Sequence, residues 1–260
     1  NYLKIKMNAI CFLVINPSSI ICEFLKNIKT HHIYIIVDNN DYDLTEFKEK
    51  YFNINFIQIN DKQCSSEGFV NANTWGIKKT PTAWDKVFYY FGVKNLIYDN
   101  VWIVEEDVFV RNNSAFKNLD DLYSDQDLLV SSHLKKTDNS KWLYWNFGKD
   151  KIDTHLYHSM VCACRISNKL FEKIKKYADD NKTLFYIEIM INTIAFKYNL
   201  KIDCPKELST IGPKPERGKR YRIKLDNGNW SWISSELPNN IKENYMYHPV
   251  KQLNLHKAWR

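Results

Sequence analysis

The chain has 260 residues, 44% of them hydrophobic and 15% aromatic, and 37 Lys and Arg against 30 Asp and Glu give a net charge of +7. That content supports one sizeable core, or two small units sharing one, and excludes a disordered chain. The longest apolar run, residues 9–15, is strand-sized and falls far short of the roughly 18–20 residues of a membrane span. The basic excess suits anionic ligands such as nucleotides, phosphates or acidic glycans, and equally nucleic acid or plain solubility.

Strand-like apolar runs are predicted at residues 9–14, 33–37, 55–59, 101–104, 127–130 and 161–165. A helix over 18–28 follows the first, opened by Pro17 and Ser18, and a shorter one spans 45–51. The clearest helix is 82–92: Trp84, Val87, Phe88 and Phe91 form an i, i+3, i+4, i+7 stripe, with Thr82 at its start and Gly92 as its stop. Two more helices are predicted at 168–179 and 184–198. His31 and His32, just before the second strand, read as surface residues, and His155 and His158 have helical metal-pair spacing in a segment that is not convincingly helical. The six cysteines form no C-x-x-C pair, so buried free thiols are expected rather than a disulfide framework or a zinc site. Alternating strands and helices predict an α/β fold, one domain with a mostly parallel central sheet flanked by helices, and ligands beyond the carboxyl ends of its strands.

That edge carries the most informative residues. The buried run Val101-Trp-Ile-Val ends in Glu105, Glu106 and Asp107. Like charges about 4 Å apart repel by about 4 kcal/mol at an effective dielectric of 20, and a hard divalent cation reverses the sign. The plainer alternative is a strand end emerging into solvent. Asp107 is the first choice as a cation ligand. Glu105 shares its strand face if the extended conformation continues, and Glu106 then points away. Glu188 is a lone acid in the apolar run Phe185-Tyr-Ile-Glu-Ile-Met-Ile, where a raised pKa suits a general base, unless it lies on an exposed helix face.

The order of these features, a helix Thr82-Ala-Trp-Asp-Lys-Val-Phe, a strand ending Glu105-Glu106-Asp107, a strand entering Arg165, a helix with Glu188 and a late His248, resembles the GT-A glycosyltransferases. The acidic motif is most similar to that of N-acetylglucosaminyltransferase I-like enzymes, with Glu where Asp is commoner. The resemblance implies a single Rossmann-like domain over 1–260, with a nucleotide-sugar half at 1–130 and an acceptor half with a basic C-terminal loop at 131–260. It implies transfer of a sugar from a nucleotide-diphosphate donor to a hydroxyl of a glycan or protein acceptor, assisted by Mn²⁺ or Mg²⁺ and inverting, with Glu188 as base. Asp107, Glu105 and His248 are the implied metal set. Asp38 stands where the nucleobase or ribose is met, or is a turn residue of Asp38-Asn-Asn-Asp, and Glu106 is a ribose or water contact.

Lys86 is a candidate phosphate contact or an ordinary helix-surface lysine, and Trp75, Lys78 and Lys79 precede its helix in a loop that could close the nucleotide site. Arg217, Lys219 and Arg220 form a basic cluster that could close on a diphosphate, touch nucleic acid or a membrane surface, or simply be solvated. Trp230 and Trp232 could stack on a sugar or share one strand face. The rivals are a nucleotidyltransferase of the same fold, disfavoured because Asn16-Pro-Ser-Ser-Ile replaces a Gly-rich basic loop, and a basic nucleic-acid-binding protein, for which no motif is present. The chain opens on Asn1, so compartment is left open, and any membrane association is expected from sequence outside these residues.

Overall fold

The computed structural model describes residues 7–73, 80–95, 97–211 and 241–251 in full, and the backbone alone of 220–224 and 230–234. The first half alternates as predicted: β1 (Asn8–Val14), α1 (Ser19–Leu25), β2 (His32–Val37), α2 (Thr45–Lys50), β3 (Ile54–Ile57), α3 (Asp61–Ser66), α4 (Ala83–Tyr89), β4 (Asn100–Glu105), β5 (Phe109–Val110), α5 (Ala115–Leu122) and β6 (Leu128–Leu129). Then follow β7 (Leu134–Lys135), β8 (Tyr157–His158), β9 (Ala163–Ser167), α6 (Asn168–Asn181), α7 (Ile187–Lys197), β10 (Ile202–Asp203), the hairpin β11 (Arg220–Lys224) and β12 (Trp230–Ser234), and β13 (Met246–Tyr247).

Seven strands form one sheet in the order β10-β6-β9-β4-β1-β2-β3. β1 runs parallel to β2 and β4, β2 to β3 and β6 to β10, while β9 runs antiparallel between β4 and β6. The protein is thus an α/β domain with a mostly parallel sheet. The strands read as unbroken apolar runs because both faces are covered. In β1, Ala9, Cys11 and Leu13 enter one core with Trp84, Phe88, Leu170 and Ile191. Ile10, Phe12 and Val14 enter the other with Ile21, Leu25, Phe116 and Leu119. Each such large side chain contributes about 1.5–3 kcal/mol on burial.

Local signals set most helix starts. Ser18 caps α1 by accepting from the Ile20 amide, and Asn60 caps α3. Thr82 and Asp85 form a capping box on α4. The predicted stop at Gly92 is not there. A π-helical turn over Tyr90–Lys94 carries the chain through it, and Gly68 is the described glycine with positive φ. The predicted helix at 184 begins only at Ile187, because Leu184 and Ile187 donate their amides to the Val70 and Ala72 carbonyls in an extended stretch. His31 is not a surface residue. It is buried, with Nε2 2.8 Å from Asp120 Oδ2, because Asp120 gathers partners beneath α5. His158 lies in a strand, stacked on Trp142 at 4.1 Å, and burial pushes its imidazole down to about 4, so it and exposed His155 form no helical pair. All six cysteines are free. No helix among the described residues is long and apolar enough to cross a membrane.

Candidate active site

From β1 the chain winds to β2 and β3 on one side, then crosses back to place β4 on the other side of β1. Such a reversal opens a crevice beyond the carboxyl ends of the flanking strands. A cavity of about 470 Å³ lies there, lined by Val14, Asp38, Trp84, Glu105, Glu106, Asp107 and Lys251 among others. Roomier clefts of about 610 and 750 Å³ lie elsewhere, but none of the acids that end β4 lines them.

The acids are held individually. Glu105 is the last residue of β4; its amide donates to the Cys162 carbonyl at 2.8 Å, and the Trp84 indole N–H donates to its Oε1 at 2.8 Å. The chain then turns, with the Val108 amide donating to the Glu105 carbonyl at 3.0 Å. The expected strand alternation of Glu105 and Asp107 therefore does not hold, because the backbone is no longer extended there. A second ribbon brings them to one partner instead. β13 pairs antiparallel with β5, Met246 opposite Val110 and Tyr247 opposite Phe109, and the Val250 amide donates to the Asp107 carbonyl at 2.8 Å. His248 Nε2 consequently stands 3.4 Å from Asp107 Oδ2 and 3.7 Å from Glu105 Oε2. The Lys251 ammonium also contacts Asp107 Oδ2.

Charge follows from this packing. Burial pushes Asp107 up, but His248 and Lys251 outweigh it and hold the carboxyl well below its usual range. Glu106 lines the cavity; burial first, then the neighbouring Asp107, push it up to about 7, against the opposing pull of Lys251. Each His248–carboxylate spacing, 3.4 Å to Asp107 and 3.7 Å to Glu105, approaches the roughly 3 Å between adjacent ligands of a cation bound at about 2.1 Å, so a cation could be met by His248 with either acid; among the described residues the three donors that lie within 4.8 Å of one another are Glu105, Cys162 and His248.

Glu188 lies in the first turn of α7, with its backbone carbonyl accepting from the Ser159 amide at 2.9 Å. Burial pushes its carboxyl up to about 7, a hydrogen bond with Tyr186 opposes that, and Glu105 and His248 both lie close enough to be felt. The Tyr186 ring packs against Phe147 and Tyr144 at centroid distances of 5.5 and 6.1 Å, so an aromatic cluster stands beside Glu188.

The structure brings Glu105, Glu106, Asp107, Glu188 and His248 to one region and Asp38 to the cavity wall. Lys86 differs from its phosphate-contact expectation. Its buried ammonium lies 2.9 Å from Asp38 Oδ1, 2.9 Å from Asp61 Oδ1 and 2.7 Å from the Asp38 carbonyl. Asp38, just after β2, and Asp61, the first residue of α3, pull it under the β2 end, so it braces Asp38 rather than facing a ligand. Trp75, Lys78, Lys79, Arg217 and Lys219 lie outside the described residues, as do the side chains of Arg220, Trp230 and Trp232. Sequence reasoning missed Cys162, Lys251 and the role of Trp84. Lys251 follows His248 by three residues in a tail already under suspicion, which was its one available signal.

No protein-family model matches the chain, and no curated protein matches its sequence. Solved structures do align with it. One is the 4-diphosphocytidyl-2C-methyl-D-erythritol synthase of Anaerococcus prevotii DSM 20548, at a TM-score of 0.42 and 10% identity over 76% of this chain and 86% of that one. An active-site mutant of LgtC gives 0.42 and 17% identity over 68% and 65% of the two chains. The bifunctional glycosyltransferase WbbM gives 0.42 and 10% over 78% and 39%. At those scores the likenesses carry no argument about function. None of the three is an N-acetylglucosaminyltransferase I-like enzyme, so that finer resemblance gains no support from them.

Proposed function

We propose that the chain is a GT-A-like glycosyltransferase that moves a sugar from a nucleotide diphosphate to an acceptor hydroxyl. The observation that carries this reading is the convergence of Glu105, Asp107 and His248 beyond the β1–β4 switch, with Glu188 within electrostatic reach. The glycine-free, cation-free loop Ile15-Asn-Pro-Ser after β1 favours sugar transfer over nucleotidyl transfer, which wants a basic loop around the reacting phosphates.

Glu105, Asp107 and His248 would hold Mn²⁺ or Mg²⁺, whose chemistry there is to neutralise the diphosphate as its charge builds up. The remaining steps belong to the chain. Asp38, fixed by Lys86, faces the donor's nucleoside end. Glu188 takes the proton of the acceptor hydroxyl. The acceptor oxygen bonds to the anomeric carbon, the bond from that carbon to the diphosphate oxygen breaks, and the electron pair leaves with the nucleotide diphosphate. Attack from the face opposite the leaving group inverts the anomeric centre. The aromatic rings around Tyr186 suit the faces of a sugar acceptor.

A thermal-shift panel of nucleotide diphosphates and their sugars, with and without Mn²⁺, tests the reading. One nucleotide class should raise stability only when the metal is present, by about 2.7 kcal/mol at a hundredfold excess over Kd. A flat panel rejects it. Asp107→Asn should remove the Mn²⁺-dependent part of that shift and the transfer activity, while the far-UV spectrum and cooperative unfolding persist. Metal-dependent binding undiminished in Asp107→Asn would take Asp107 out of the ligand set.

A further inference from the structure

The Cys162 thiol has no part in sugar transfer, yet its placement is specific. It lies just before β9, opposite Glu105 across the antiparallel β4–β9 pair, where the Glu105 amide donates to its carbonyl at 2.8 Å. Its Sγ, a Glu105 carboxylate oxygen and a His248 ring nitrogen all lie within 4.8 Å of one another. Among the described residues, no other group of three or more His, Cys, Asp and Glu donors comes together this way. The Trp84 indole holds Glu105 Oε1, which leaves Oε2 as the oxygen turned to His248, 3.7 Å away.

One sulfur, one imidazole nitrogen and one carboxylate oxygen are the ligand types of zinc, and three protein ligands leave a fourth position open. With bonds of about 2.0–2.3 Å, tetrahedral ligands stand roughly 3.5 Å apart, so the donors need to close by about 1 Å. Sulfur selects zinc and cobalt(II) over magnesium, which takes oxygen. Glu105 and His248 thus face two further donors: Asp107 on the side that suits a hard ion, and Cys162 on the side that suits a softer one.

We propose that Glu105, Cys162 and His248 form a site for a borderline-soft divalent cation of the zinc class, overlapping the hard-cation site, so that such an ion competes with Mn²⁺ or Mg²⁺ for Glu105 and His248. On binding, the thiol proton leaves to solvent and the sulfur takes the metal. The proposal shares the cation-site reading of the acids, but it does not require sugar transfer.

Cobalt(II) is the probe. Titrating it into the whole chain should produce a near-ultraviolet thiolate-to-cobalt absorption band. The band should vanish in Cys162→Ser and persist in Cys204→Ser, which removes the exposed thiol. Competition with a chromophoric chelator should show zinc affinity falling at least tenfold in Cys162→Ser with Mn²⁺ affinity little changed. Should Cys162→Ser not fold, X-ray absorption of the zinc-loaded wild-type chain decides: one sulfur at about 2.3 Å is expected. A wild-type chain without the band, a band that survives Cys162→Ser, or a zinc shell of oxygen and nitrogen alone overturns the proposal. Zinc bound through Cys162 in a chain that turns over no nucleotide sugar would instead defeat the transferase reading and leave this one standing.

Discussion

Glu188→Gln is expected to lower turnover by about 10²–10⁴-fold with donor binding and melting temperature close to wild type. Gln keeps the size of the side chain and can still bond Tyr186, but it cannot accept the acceptor's proton. The wild-type pH profile carries the same information. Burial holds Glu188 up at about 7, against the opposing bond from Tyr186. The active base is the ionised form, so turnover should climb tenfold per pH unit below about 7 and level off above it. Glu105 is one of the groups raising Glu188. A cation that neutralises Glu105 therefore moves the rising limb to lower pH. The amide in Glu188→Gln has nothing to titrate, so whatever activity remains in that variant should lose the limb. A steady-state profile for both proteins checks this, and a variant that retains full turnover places the base elsewhere.

What the sequence revealed and what it concealed divide along the range of the interactions. The central strands were legible because burial on both faces makes a local, unbroken apolar run. The acids were legible because three carboxylates directly after such a run are costly without a partner. Glu188 stood out because its neighbours in the chain are apolar. Long-range pairings erased the rest. Cys162 meets Glu105 only because β9 runs antiparallel beside β4, and Lys251 meets Asp107 only through the β5–β13 ribbon. Neither pairing has a local signature. Lys86 looked like a helix-surface cation, since spacing cannot show that Asp38 after β2 and Asp61 at the start of α3 close over it. The strand alternation proposed for Glu105 and Asp107 failed at a turn, and His248 joined them by another route.

The largest effect on stability is expected at Asp120, far from these acids in role. Its carboxylate accepts from the Trp102 indole at 3.0 Å, the Arg165 guanidinium at 2.9 Å and the Asn8 amide at 2.6 Å, and faces His31 Nε2 at 2.8 Å. Arg165 is wholly buried and, among the described residues, otherwise donates to the Tyr123 and Gln126 carbonyls. Asp120→Ala should therefore cost about 3–5 kcal/mol, because it strands a guanidinium in the core. That is a large share of the roughly 5–15 kcal/mol that holds a domain folded. Replacing both partners, as in Asp120→Leu with Arg165→Met, should cost less than Asp120→Ala alone, since apolar groups of similar size relieve the desolvation of the pair. Acid unfolding carries the same sign. Burial would raise Asp120, but His31 and Arg165 outweigh it and hold it below its ordinary 3.8. Its contribution is thus complete above that value and is lost as pH falls through the lower, folded-state pKa. Urea unfolding of the wild type, the single variants and the double variant measures all of this. A double variant costing the sum of the two single changes would show that the groups act separately. A smaller loss would show that the charge network holds β9 and α5 together, and with them the strand that sets Cys162 against Glu105.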